Sequence, residues 1–150
     1  MNSKEFKNIF GNMAKENGFL KAFSGWYKES PECIAILELQ KSNFGDYYML
    51  NIKIFIQGSF DRTYSPTKEL IKSPLGHVNA NETDEYRSIF NFDQPIDDSL
   101  RIERLRELFK NHIVPFTTKT STRAGIKELE SKRQISILPV VKKELEKLMN

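Results

Sequence analysis

Five apolar side chains at every second position, Tyr48, Leu50, Ile52, Ile54 and Ile56, constrain this chain more than any other stretch. A period of two is the signature of a strand with one buried face. The β-branched and aromatic content favours strand over helix. Burying one large aliphatic side chain is worth roughly 1.5–3 kcal/mol, so the whole row turns inward together, and a slip of one residue exposes all of it. The alternate positions, Tyr47, Met49, Asn51, Lys53, Phe55 and Gln57, then form a mixed row on the opposite face.

The preceding stretch matches it. Cys33, Ala35, Leu37 and Leu39 alternate with Ile34, Ile36, Glu38 and Gln40. Between the two rows, Lys41 to Asp46 is small, polar and glycine-containing, which is turn chemistry. An antiparallel hairpin follows, and the rest of the chain reads as its cover. Phe6, Ile9, Phe10 and Met13 recur at helical spacing after Ser3, and Asn17-Gly18 supplies a stop, so a helix is predicted over about 4–16. Residues 19–29 are aromatic and read as one strand or two short pieces, broken at Ser24-Gly25. Ser65-Pro66 opens a short helix to Ile71, and residues 75–80 form an edge strand carrying His77. Thr83 caps a helical turn with Tyr86, Ile89 and Phe90 facing inward.

From Asp97 and Asp98 runs a longer helix. Ile102, Leu105, Leu108, Phe109 and Ile113 lie on its apolar stripe, and Arg101, Glu103, Arg104, Arg106 and Glu107 on its wet faces. Pro115 ends or kinks it. Residues 117–122 are a loop, 123–132 a helix weakened by Gly125, and Leu138-Pro139 opens the last helix. The expectation is a single α+β domain over residues 1–150. It has an antiparallel meander of three to four strands, with the N-terminal and C-terminal helices packed on one face.

Gly18-Phe19 after an amphipathic helix, Trp26-Tyr27-Lys28, Leu39-Gln40-Lys41-Ser42, Tyr47-Tyr48 and Leu50-Asn51-Ile52 together resemble the family called domain of unknown function 4304. The resemblance runs from about Phe6 to Lys110. It implies a small bacterial protein of α+β type and supplies no catalytic residues.

Several chemistries lack their residues. With 23 basic and 20 acidic side chains, the net charge of +3 does not announce a polyanionic partner. The single cysteine excludes an intramolecular disulfide. Lysines and a glutamate interrupt the N-terminal stretch where a signal peptide would be apolar, and no apolar run approaches the ~20 residues of a membrane span. The expectation is a cytoplasmic protein with no membrane association. Two histidines and one cysteine, far apart, give no metal-ligand spacing, and no phosphate-binding or dinucleotide motif is present. No cofactor is expected. Cys33 lies on the apolar row and reads as a buried thiol. His77 is the one candidate for acid–base work.

The candidate binding surface is the mixed face of the hairpin: Gln40, Asn51, Lys53 and Gln57, with Trp26 from the preceding strand. Gln40 and Asn51 are placed to hydrogen-bond each other or a ligand, and Lys53 to pair with Glu38 across the strands. The leading expectation is a non-catalytic module binding a protein partner through this face or a sheet edge. One version is an immunity- or antitoxin-type role, by analogy of size and fold. The alternative is a nucleic-acid-associated protein stacking bases on Trp26, Tyr27, Tyr47 and Phe55 beside Lys53 and Arg62. A third reading is a small enzyme using His77.

Overall fold

The computed structural model describes all 150 residues, Met1–Asn150. Its centre is an antiparallel meander of five strands in sequence order: β1 (Leu20–Ala22), β2 (Gly25–Glu29), β3 (Cys33–Lys41), β4 (Tyr48–Ile56) and β5 (Val78–Asn81). The count exceeds the expected three to four because the aromatic stretch folds on itself. Phe23 and Ser24 both take positive φ, 48° and 65°. They form the two-residue turn that suits the twist of a tight hairpin, and Ala22 pairs with Gly25 across it.

Side-chain parity is as the spacing requires. In the β3–β4 ladder Leu37 pairs with Ile52, Ala35 with Ile54 and Cys33 with Ile56. These residues, with Leu39, Leu50 and Trp26, face the main core. Helix α1 (Ser3–Glu16) lays Phe6, Phe10 and Met13 on that face. Its cap is Asn2 rather than Ser3: the Asn2 side chain accepts from Glu5 N–H at 2.8 Å. The same core receives Tyr86, Ile89 and Phe90 from a 3-10 turn (Asp84–Phe90). It also receives Leu105 and Leu108 from α3 (Asp98–Leu108), Ile126 from α5 (Arg123–Ser131), and Val141 and Leu145 from α6 (Pro139–Met149).

Two features of the C-terminal half depart from expectation. Of the two outcomes expected at Pro115, an end or a kink, the helix does not end, and the loop expected over 117–122 is helical to Lys119. The chain passes from α3 through a π-turn (Phe109–Ile113) into α4 (Val114–Lys119). Widening the turn before a proline accommodates the missing N–H and the ring. Arg101, expected in water, is 3% exposed. Its guanidinium donates to the carbonyls of Ile89 at 2.6 Å and Asn91 at 3.1 Å and lies 4.4 Å over the Phe92 ring. With its terminal nitrogens bonded to backbone carbonyls and its Nε buried without a partner, the long side chain packs largely like an apolar residue.

The second face of the sheet is covered over part of its area. Ile34, Ile36 and Phe55 meet Tyr64, Leu70 and Ile71 from the segment after β4, which contains the short helix α2 (Lys68–Ile71). Near the other end of the chain, Thr122 caps α5 by accepting from Gly125 N–H at 3.0 Å. A Cβ at Gly125 would stand 1.9 Å from the Lys119 carbonyl oxygen.

Helix propensity alone predicts that Gly125→Ala gains about 1 kcal/mol. The Lys119 clash reverses that sign: the substitution lowers the urea midpoint of unfolding, and an unchanged or raised midpoint would contradict the packing described.

Candidate functional site

Lys53 projects from β4 onto the second face and is 1% exposed. Its ammonium donates to Glu38 Oε1 at 2.9 Å, Ile71 O at 2.6 Å and Ser73 O at 2.7 Å. Three donors meet three acceptors, which is what a buried ammonium requires. The cross-strand pair with Glu38 is formed, but the larger effect is to hold the segment around α2 against the sheet. Gln57 acts the same way further along. Its amide donates to Tyr64 O at 2.8 Å and accepts from Tyr64 N–H at 2.7 Å. Both side chains are spent inside the protein.

Trp26 is separated from the other four expected residues. It pairs with Leu37 on the core face, is 3% exposed and packs on Phe10 with ring centroids 5.0 Å apart. Gln40 and Asn51 do come together. Asn51 Nδ2 donates to Gln40 Oε1 at 2.9 Å, and Asn81 Nδ2 donates to Asn51 Oδ1 and to Leu50 O, each at 3.0 Å. The strand β5 therefore adds a third amide, and a hydrogen-bonded row crosses β3, β4 and β5 on the uncovered part of the face. Met49, half-buried, lies on the same face by strand parity.

At the end of these strands the connecting loop presents Phe44, 95% exposed. The loop is tied down on several sides. Ser42 N–H donates to Tyr47 O at 2.9 Å, and Phe44 N–H to Ser42 Oγ at 3.0 Å. Asp46 N–H donates to Asp93 Oδ2 at 3.0 Å, Phe92 N–H donates to Asp46 O at 2.7 Å, and Lys41 pairs with Asp46. In the sequence Phe44 reads only as part of a turn. The signal was present: one large aromatic inside a run of turn-forming residues.

His77 lies just before β5, among the rings of Phe55, Phe60 and Tyr64 at centroid distances of 5.1–5.5 Å. Ile56 N–H donates to its Nδ1 at 3.0 Å, so the neutral ring carries its proton on Nε2. Burial first, and then the nearby Arg62 charge, hold its pKa down at about 4. A cavity of about 420 Å³ adjoins it, but its basic nitrogen is occupied by backbone. Cys33 is buried among apolar side chains, and that burial pushes its thiol up to about 12, which suppresses the nucleophilic thiolate. The base-stacking surface drawn from the sequence is dispersed, with Trp26, Lys53 and Phe55 all in the interior.

The His77 geometry fixes a pH dependence. A folded pKa of about 4 lies below the ordinary value of 6.5, so between those values the unfolded chain binds more protons than the native one. The His77 contribution is complete above pH 6.5 and is lost as pH falls toward 4. His77→Asn keeps an acceptor for Ile56 N–H without titrating. The variant's Tm falls less steeply than wild type over that window, and parallel profiles would contradict the assignment.

No helix is long and apolar enough to cross a membrane. Comparison with curated proteins finds no match, and none of the solved structures matches. The family model described as domain of unknown function (DUF4304) matches residues 10–119. That span takes in the second half of α1, the whole sheet with its amide row and Phe44 loop, and the helix through α4. On that match the chain belongs to the DUF4304 family.

Proposed function

We propose that this chain is a non-catalytic cytoplasmic module that binds a protein partner through the uncovered part of its sheet and the adjoining Phe44 loop. The observation that carries this reading is Phe44 itself. A phenylalanine 95% exposed to water, on a loop held by backbone and side-chain hydrogen bonds, gains roughly 1.5–3 kcal/mol when a partner buries it. Little ordering cost opposes that gain, because the loop is already fixed. The row Gln40–Asn51–Asn81 beside it offers amide donors and acceptors, and Met49 adds an adaptable apolar contact.

Two further observations favour binding over catalysis. The imidazole of His77 gives its basic nitrogen to Ile56 N–H, and the Cys33 thiol is raised away from reactivity. A small module that occupies a partner through a rigid patch suits an inhibitory, immunity- or antitoxin-type role.

Benzoylphenylalanine replaces Phe44 with a photo-crosslinking side chain of similar shape. Irradiated in the host cell, this variant yields a discrete protein adduct. Adding Asn51→Lys removes that adduct without changing Tm. The same side chain at Lys143, on α6 away from the patch, yields none. Absence of an adduct from position 44, or one that persists with Asn51→Lys, overturns the reading.

A further inference from the structure

Helix α1 carries a second stripe besides its apolar one. Lys4, Asn8, Gly11 and Lys15 recur at i, i+4, i+7 and i+11, with Lys7 beside them. This stripe faces the β1–β2 hairpin across a groove of about 740 Å³, to which β1 adds Lys21. Phe19 and Trp26 form part of the lining, and no carboxylate lines it. A Cβ at Gly11 would stand 3.0 Å from the Trp26 indole, so the missing side chain lets α1 close on that ring.

Lys4, Lys7, Lys15 and Lys21 have no carboxylate within ion-pair distance, whereas seven other lysines do. Lys28, Lys68, Lys110, Lys127 and Lys143 are also unpaired, so what sets these four apart is that they share one groove. Lys7 is held below the ordinary lysine range by burial first, then by the charges of Lys72 and Lys21, with the Glu38 carboxylate opposing them only in part. A concave surface walled by one sign of charge concentrates ligands of the other. The near balance of acids and bases over the whole chain hides this local excess.

We propose that the groove between α1 and the β1–β2 hairpin binds an extended acidic peptide segment of a protein partner. Lys4 and Lys15 are eleven residues apart on one helix, hence separated by about 16 Å along its axis. That is the reach of about five residues of extended chain. The strand β1 is the edge of the sheet, with β2 on one side only, so its outer backbone groups are available to a further strand. Leu20 and Phe23, 58% and 52% exposed, give apolar footing beside the lysines. A single-stranded nucleic acid would need successive open aromatic faces for stacking, whereas the rings lining the groove, Phe19, Trp26 and Tyr48, are all buried and Phe23 beside it is a lone open one. This site lies on the helix-covered side of the sheet; it approaches the Phe44 loop only at its Lys4 end, where Lys41 donates to Ser3 Oγ at 3.1 Å.

The test is fluorescence anisotropy on the full chain with a labelled peptide of alternating Glu and Val. The same peptide with Gln for Glu, an oligothymidine, and phosphatidylserine vesicles serve as the other probes. The acidic peptide binds saturably and weakens with salt, and the Gln peptide does not bind. Charge reversal by Lys7→Glu with Lys15→Glu lowers affinity at least about tenfold while the circular dichroism spectrum is unchanged and Phe44-dependent crosslinking is retained. The proposal is overturned if the acidic peptide fails to bind, if the Gln peptide binds equally, if the oligonucleotide or vesicles bind more tightly, or if charge reversal leaves affinity unchanged.

Discussion

One buried ammonium divides this protein's sheet into a closed part and an open one. Lys53 points away from the main core, toward a face that would otherwise be half apolar and wet. Desolvating a charge costs several kcal/mol unless every donor finds an acceptor. Here the Glu38 carboxylate and the carbonyls of Ile71 and Ser73 supply them. The two carbonyls belong to the segment that follows β4. Satisfying Lys53 therefore brings Leu70 and Ile71 down on Ile34, Ile36 and Phe55. Where that segment stops, the amide row begins.

That division decides which polar residues remain open to solvent. Gln57 and Lys53 secure the cover, while Gln40, Asn51 and Asn81 bond to one another and keep free valences toward solvent. The Phe44 loop joins the ends of β3 and β4 beyond that row. Asp46 N–H bonded to Asp93 and Phe92 N–H bonded to Asp46 O hold it to the segment after the 3-10 turn, so an exposed aromatic is displayed rather than collapsed. The basic groove arises from a different cause. Packing α1 through Phe6, Phe10 and Met13 leaves its lysine stripe facing the hairpin, and the short β1 strand leaves an edge beside it.

Much of the fold was legible because parity is a strict constraint. Ile52, Ile54 and Ile56 allow one orientation of β4, and that orientation places Asn51 beside Gln40 and Lys53 near Glu38. What parity does not fix is what lies above each face. Lys53 reads as a surface cation because the residues that bury it, Ile71 and Ser73, are distant in sequence. Arg101 misleads for the same reason, since its acceptors are backbone carbonyls with no side-chain signature. Trp26 lies on the core side because the connection Ser30 to Glu32 sets the β2–β3 register that pairs it with Leu37, and the sequence of that connection does not fix its length in the ladder. The lysine groove was invisible to net charge and visible only once α1 was placed against β1.

Hydrogen exchange on Lys53→Met tests the central claim most directly. The reporters are the amides of Ile71, Lys72 and His77, which are hydrogen-bonded to Thr67 O, Lys68 O and Ile54 O in the native fold. Removing the ammonium releases the segment it tethers, so these amides exchange faster while those of the β3–β4 ladder stay slow. Unchanged protection at Ile71, Lys72 and His77 would contradict the assignment of Lys53 as the tether that closes this part of the sheet.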